Sequence, residues 1–321
     1  LGLKFQTRAG GMMGIEFEGR AVSVLVRPVS IETAKLDRKT LSCNSPQEAE
    51  NIWAAHPGRK IIVGLDTCQR LSGVVFKLLG LKALLDEHSE WRGKVVLYQR
   101  CFKPRNRLDD EERTSAELRV LVERINAKHP GSVDYAEIDG SRLTSGKRLG
   151  MWRAGDVYLN TSVREALTFE PFEYVYVKEA PGVVVASEFG VTGTVLNGAI
   201  RVNPFNLKSL VSALEEALNT ELRERQARRA RDIEYVTKRP SPVWTKEILG
   251  DLFAAPSAVL FTEDDENTGF SHHDEFPRLD PYRLAAAYLK AKQRVLVFDY
   301  GGTLRQGERV SKYMKDDINP C

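Results

Sequence analysis

From Lys60 to Leu79 the chain reads KIIVGLDTCQRLSGVVFKLL, an apolar run, a polar turn and an amphipathic run in immediate succession. Ile61 to Leu65 has the makeup of a buried strand. The stretch 66–72 is polar and mixed, and Gly73 opens a run in which Val74, Val75, Leu78, Leu79 and Leu81 fall at helical spacing. Strand, loop, glycine and helix in that order direct free backbone N–H groups beyond the carboxyl end of the strand, a geometry that suits a phosphate. A plain βα turn uses the same glycine for steric reasons alone, so other residues must carry the chemistry. Asp299 ends a second strand-like run, Arg294 to Phe298, ahead of the turn Gly301-Gly302. His272-His273-Asp274 offers metal-ligand types, but it lies in an aperiodic acidic loop with Glu263 to Glu266, where adjacent histidines are ordinarily exposed. Cys43, Cys68, Cys101 and Cys321 are far apart, with no C-x-x-C pair and no histidine at ligand spacing. Neither a metal centre nor a disulfide framework is expected.

The elements that position these residues alternate in type. Residues 1–31 read as a loop and two short strands turning at Glu18-Gly19, and 45–55 as a short helix before Pro57-Gly58. Strand and helix patterns then follow at 60–65, 73–85, 94–99, 111–127, 133–138, 148–154, 157–160, 170–177, 182–186, 199–202 and 207–218. Such alternation predicts an α/β fold with a parallel sheet covered on both faces. The charged stretch 221–231 reads as a solvated helix with Glu221/Arg225 and Glu224/Arg228 at i,i+4. Residues 254–280 read as a linker or surface loop, and Leu284, Ala285, Tyr288 and Leu289 as an amphipathic helix.

The wording of these segments resembles the trehalose-6-phosphate synthase family, retaining glycosyltransferases of the two-Rossmann-domain GT-B fold that join glucose from UDP-glucose to glucose-6-phosphate. Glu87-His88-Ser89-Glu90-Trp91-Arg92-Gly93-Lys94-Val95-Val96-Leu97 is similar to the family's H-P-E-W-x-G-K-V-V-L. Asp66, Gly73, Lys77 and Leu78 match the family's V-D-R-L-D-Y-x-K-G pattern and the helix that follows it. Arg8 to Arg20, with Pro28-Val29-Ser30-Ile31 after it, resembles the end of the first domain in the plant type with fused domains. Ser187-Glu188-Phe189 and Gly198-Ala199-Ile200-Arg201-Val202-Asn203-Pro204 match S-E-F and G-A-I-x-V-N-P.

The resemblance implies residue roles. Thr67 stands where the family has an Arg and Ser72 where it has a Lys, the two cations that hold the UDP phosphates. Glu165-Ala166-Leu167-Thr168 replaces the Asp-Gly-Met-Asn run whose backbone amides contact the donor, and Ala166 adds a Cβ where the family has glycine. Glu173 keeps the position of the ribose-binding glutamate, and a carboxylate there can accept from both ribose hydroxyls. Arg70 and Arg164 are the nearest substitute cations. Phe298-Asp299-Tyr300-Gly301-Gly302-Thr303 resembles the D-x-D-G-T motif of haloacid-dehalogenase-like phosphatases. Asp299 keeps the nucleophile position there, while Gly301 replaces the general acid and cannot donate a proton. Phosphatase activity is not expected.

The resemblance further implies the tail of a first Rossmann domain over 1–57, a second, nucleotide-sugar domain over 58–253, a linker and helix over 254–293, and the truncated start of a phosphatase-like domain over 294–321. UDP-glucose is the donor so implied, bound weakly if at all. The glucose-6-phosphate site is largely missing, and other synthase-complex subunits are the protein partners implied. No cofactor is expected, since Mg²⁺ belongs to an intact phosphatase domain.

With 321 residues, 42% hydrophobic and 28% charged, the composition is that of an ordinary globular chain. The net charge of +3, from 47 basic against 44 acidic residues, is too balanced to argue for nucleic acid. No apolar run approaches a membrane span and no secretory signal is visible. Reduced thiols fit a cytoplasmic protein, and the opening Leu1 reads as the inside of a domain, as in a fragment. The expectation is a synthase-family protein with weakened or lost transfer and a metabolic or regulatory role. The alternatives are a working UDP-glucose transferase with substitute residues and a structural subunit of a synthase complex.

Overall fold

Residues 5–7, 13–17, 20–103, 108–178, 180–259 and 288–290 are described by the computed structural model of the chain. The chain divides into two units, Leu1–Ala254 and Ala255–Cys321. In the second, residues 255–259 and 288–290 are described, all helical. The 272–274 triplet, the strand expected at 294–299 with Asp299, and most of the 254–280 linker lie outside the described residues.

The amino-terminal segment is a small antiparallel sheet of β1 (Phe5–Thr7), β2 (Met13–Phe17) and β3 (Arg20–Val24). The expected hairpin is the β2–β3 pair, and β1 adds a third strand that the alternation did not reveal. Next come α1 (Thr33–Ser42), which the sequence reading had no element for, and α2 (Ser45–Ala55), with the expected bounds.

Six strands then build one parallel sheet: β4 (Lys60–Thr67), β5 (Val95–Phe102), β6 (Val133–Ile138), β7 (Val157–Asn160), β8 (Val183–Ser187) and β9 (Ile200–Val202). Their spatial order is β6-β5-β4-β7-β8-β9. The connecting helices are α3 (Val74–Glu87), α4 (Leu108–Lys128), α5 (Ser145–Ala154), α6 (Glu170–Val177), the short α7 (Val191–Val195), α8 (Leu207–Asn219), α9 (Leu222–Lys238) and α10 (Ser241–Val259).

Both faces of the sheet are covered, so the central strands are continuously apolar rather than alternating. In β4, Ile62 faces a core shared with Leu78, Leu81, Leu118 and Leu214 from α3, α4 and α8. Ile61, Val63 and Leu65 face the opposite core, with Ile52, Leu149, Trp152, Phe172 and Val236 from α2, α5, α6 and α9. The strand order reverses between β4 and β7, and in open parallel sheets the crevice at such a switch point is where ligands bind.

Three expectations need correction. Strand β4 runs two residues past Leu65, because Asp66 and Thr67 pair with Cys101 and Phe102 of β5. The charged helix is not simply solvated: α9 extends to Lys238 and buries Asp232 and Val236. The expected Glu224/Arg228 pair forms at 3.0 Å, but Arg225 donates to the Pro181 carbonyl at 3.4 Å instead of pairing with Glu221, because α9 lies against the segment before β8. Residues 254–259, expected in a linker, continue α10.

The segment before α1 is fastened by the carboxyl-terminal helices. The Ser30 hydroxyl donates to the Val236 carbonyl at 2.7 Å, the Ser30 N–H to the Arg239 carbonyl at 2.8 Å, and the Trp244 indole to the Arg27 carbonyl at 2.6 Å. Arg27 also pairs with Asp251, with Nη2 to Oδ1 at 2.8 Å.

Asp232 gives this fold a pH dependence. It accepts from the Gly198 N–H at 2.7 Å, and burial pushes its carboxyl up to about 6 against the opposing hydrogen bond from Gly198 and the charges of Arg231 and Arg228. The folded state therefore keeps a proton that the unfolded chain has released from about 3.8 upward. Stability attributable to this group falls as pH rises through that window, by about 3 kcal/mol in all. Asp232→Asn, which keeps the acceptor for Gly198, is expected to raise the urea midpoint at pH 7.5 and to leave it nearly unchanged at pH 4. An unchanged or lowered midpoint at pH 7.5 contradicts the assignment.

Candidate crevice at the switch point

Two loops meet where the strand order reverses, one after β4 and one after β7. The first bends through a 3₁₀ turn, Arg70–Ser72, into Gly73, whose φ of +66° only glycine adopts without strain. A Cβ at Gly73 would also stand 2.0 Å from the Thr161 carbonyl oxygen of the second loop. The loops are joined there: the Thr161 hydroxyl donates to the Gly73 carbonyl at 2.8 Å, and the Val163 N–H to the Leu71 carbonyl at 2.9 Å. The glycine that the sequence suggested for a phosphate is thus required, first of all, by the contact between the loops.

Beneath the first loop lies a buried charge. Lys77 of α3, 1% exposed, pairs with Asp66, 6% exposed, at 2.5 Å. Gln99 of β5 donates to the same Asp66 oxygen at 2.8 Å. Gly64 leaves room for this group, since a Cβ there would lie 2.2 Å from Gln99 Oε1. Gln99 was missed at the sequence level, although a glutamine inside the apolar strand VVLYQRCF is a visible signal.

Thr67, the last residue of β4, and Ser72, in the 3₁₀ turn of the first loop, are half-buried, and neither hydroxyl bonds to the described residues. Arg70 is committed elsewhere, with Nη2 3.0 Å from Glu117 and Nε 3.6 Å from Asp110 of α4. In the second loop, Asn160 donates to Glu165 at 2.6 Å and accepts from the Ser162 N–H and hydroxyl at 2.9 and 2.8 Å. Residue 165 also bridges to Gly190, tying this loop to the one after β8. Burial raises the Glu165 carboxyl above its usual range; the Asn160 hydrogen bond opposes this, and the Asp66 and Glu170 charges add to it. Ala166 is exposed, Leu167 is half-buried against the core, and the Thr168 hydroxyl is buried without a hydrogen-bond partner. Arg164 is exposed and has no ion-pair partner among the described residues.

Glu173 sits in the first turn of α6 with its side chain 12% exposed. One oxygen is 3.0 Å from Arg148 Nη2, and the other accepts from the Trp152 indole at 3.1 Å. Burial raises its carboxyl despite Arg148. The expected ribose acceptor is therefore also a bond between α6 and α5, which the sequence did not reveal because its partners lie 21 and 25 positions away. A carboxylate has about four acceptor sites, so two bonds do not exhaust it.

The sequence pattern of glycosyltransferase family 20 matches residues 1–254. The chain is similar to the probable alpha,alpha-trehalose-phosphate synthase [UDP-forming] 3 of Arabidopsis thaliana, 30% identical over 96% of this chain and 39% of that one. The relatives it matches are much longer, and it spans 38–40% of the length of those compared. Its fold is that of the alpha,alpha-trehalose-phosphate synthase (UDP-forming) from Burkholderia xenovorans, solved in complex with glucose-6-phosphate: TM-score 0.71, 23% identity, 78% of this chain and 56% of that one. The N-terminal domain of Candida albicans trehalose-6-phosphate phosphatase is also similar, with TM-score 0.69 and 26% identity over 75% of this chain and 52% of that one.

Glu173→Ala is expected to lower stability by about 3 kcal/mol, because it removes the buried bonds to Arg148 and to the Trp152 indole that join α6 to α5. The measurement is the urea midpoint without ligand. A midpoint equal to that of the natural chain would mean that Glu173 has no structural share.

Proposed function

Because this chain belongs to glycosyltransferase family 20, we propose that it is a trehalose-phosphate synthase family protein whose glycosyl transfer is weakened or lost and which acts in, or regulates, trehalose metabolism. In this reading residues 58–253 form the nucleotide-sugar domain. The observation that carries it is the charge around the crevice. Thr67 and Ser72 are neutral where the family resemblance implies cations, Lys77 is spent on Asp66, and Arg70 is held by Glu117 and Asp110. Glu165 and Glu170 add carboxylates.

A diphosphate deprived of two charge-assisted contacts loses about 1.5–3 kcal/mol for each. That amounts to roughly two to four orders of magnitude in affinity. The same cations would stabilise the charge that builds on departing UDP, so rate falls along with affinity. What remains is the nucleoside end, where Glu173 retains acceptor capacity toward a ribose. The free thiols Cys43, Cys68 and Cys101 fit a reducing compartment such as the cytoplasm. Among the described residues no helix is long and apolar enough to cross a membrane.

One observation favours a working transferase as the second reading: Arg164, exposed in the loop after β7 and without an ion-pair partner among the described residues, has the charge to meet a diphosphate. Calorimetric titration separates the two. We expect uridine and UDP to bind with similar, weak affinity and little dependence on salt, and Thr67→Arg with Ser72→Lys to tighten UDP at least tenfold. Micromolar UDP binding that falls steeply with salt and is lost in Arg164→Ala would put the working transferase first.

A further inference from the structure

Away from the crevice, at the carboxyl end of α3, three side chains from two packed elements converge. His88 follows the last residue of α3, Glu90 lies in the 3₁₀ turn Ser89–Trp91, and Glu215 is on α8. His88 Nδ1 is 3.2 Å from Glu90 Oε1 and 3.5 Å from Glu215 Oε1, and the three atoms all lie within 4.8 Å of one another. We propose that His88, Glu90 and Glu215 form a binding site for a divalent transition-metal ion of the zinc class.

His88 Nδ1 is within hydrogen-bond reach of Glu90, and the same spacing also suits the ligand shell of an ion. Zinc lies about 2.1 Å from imidazole nitrogen and carboxylate oxygen, so neighbouring donors around a tetrahedral ion are about 3.4 Å apart. The two His88 separations bracket that edge. A proton on Nδ1 points at one carboxylate only, and the oxygen at 3.5 Å is beyond a good hydrogen bond. The two carboxylates then face each other across a single imidazole, and an ion engages all three donors.

The imidazole nitrogen selects for zinc, copper or nickel over magnesium and calcium, which take oxygen. The side chains are 26%, 59% and 39% exposed, leaving an open approach and room for water as a fourth ligand. The frame is rigid where it matters. Arg92 donates to the Leu85 and Asp86 carbonyls at 2.7 and 3.0 Å, fixing the turn that carries His88 and Glu90. Leu210 and Leu214 of α8 pack in the same core as Leu78 and Leu81 of α3, fixing Glu215. A bound ion would clamp α3 to α8.

The test is calorimetric titration of Zn²⁺ into the full chain after chelator treatment, with thermal melts and Co²⁺ absorption in parallel. One equivalent is expected to bind and raise the melting temperature by a few degrees. Affinity should fall at least tenfold in both His88→Gln and Glu215→Gln. The Co²⁺ complex should show no thiolate charge-transfer band. Glu215→Gln is a surface change that keeps the fold and so tests the site even if His88→Gln does not fold. The proposal is overturned if the natural chain takes up no ion, if Glu215→Gln binds as the natural chain does, or if the cobalt spectrum shows thiolate ligation.

Discussion

A lysine withdrawn from water must keep an anion beside it, and in this protein that requirement fixes the centre of the fold. Lys77 and Asp66 join the first turns of α3 to the carboxyl end of β4, the strand on which the sheet is centred. Removing either partner would strand a buried charge at a cost of several kcal/mol. Gln99 brings β5 into the same arrangement, and Gly64 provides its space. With α3 held so close to β4, the chain has only Cys68 to Gly73 in which to turn, which leaves Gly73 in a left-handed conformation against Thr161. The arrangement of both loops at the switch point follows from that short connection.

The same economy explains the electrostatics of the crevice. Its frame keeps charged residues, but they are matched to one another: Lys77 to Asp66, Arg70 to Glu117, Arg148 to Glu173. The buried pairs Lys77–Asp66 and Arg148–Glu173 hold elements in register, whereas Arg70–Glu117 is an exposed surface pair.

Much of the architecture was legible because it rests on local signals. Alternating apolar runs located the six strands of the parallel sheet, and the bounds of α2, β6, β7 and α6 agree with the periodicity to the residue. Helix α1 was not legible: Leu36 is the buried residue along its length, so it carries almost no apolar period. Helix α10 was not read at all, since Gly250 and Pro256 interrupt its apolar pattern. At the crevice, Gly73 could be read as special, but whether it faced a ligand or a neighbouring loop depended on Thr161, 88 positions away. Glu173 could be placed by resemblance alone, whereas its bonds to Arg148 and Trp152 arise only when α5 and α6 pack. Residue type and spacing report what a segment can do; the partner that occupies it comes from tertiary contact.

The fastening of residues 27–32 to α9 and α10 has a topological consequence. The segment ahead of the parallel sheet and the helices that follow it meet at one place, held by Ser30, Trp244 and the Arg27–Asp251 pair. These contacts join residues 206 to 224 positions apart and so close the chain into one long loop around the sheet, whose two ends are ordered together or not at all.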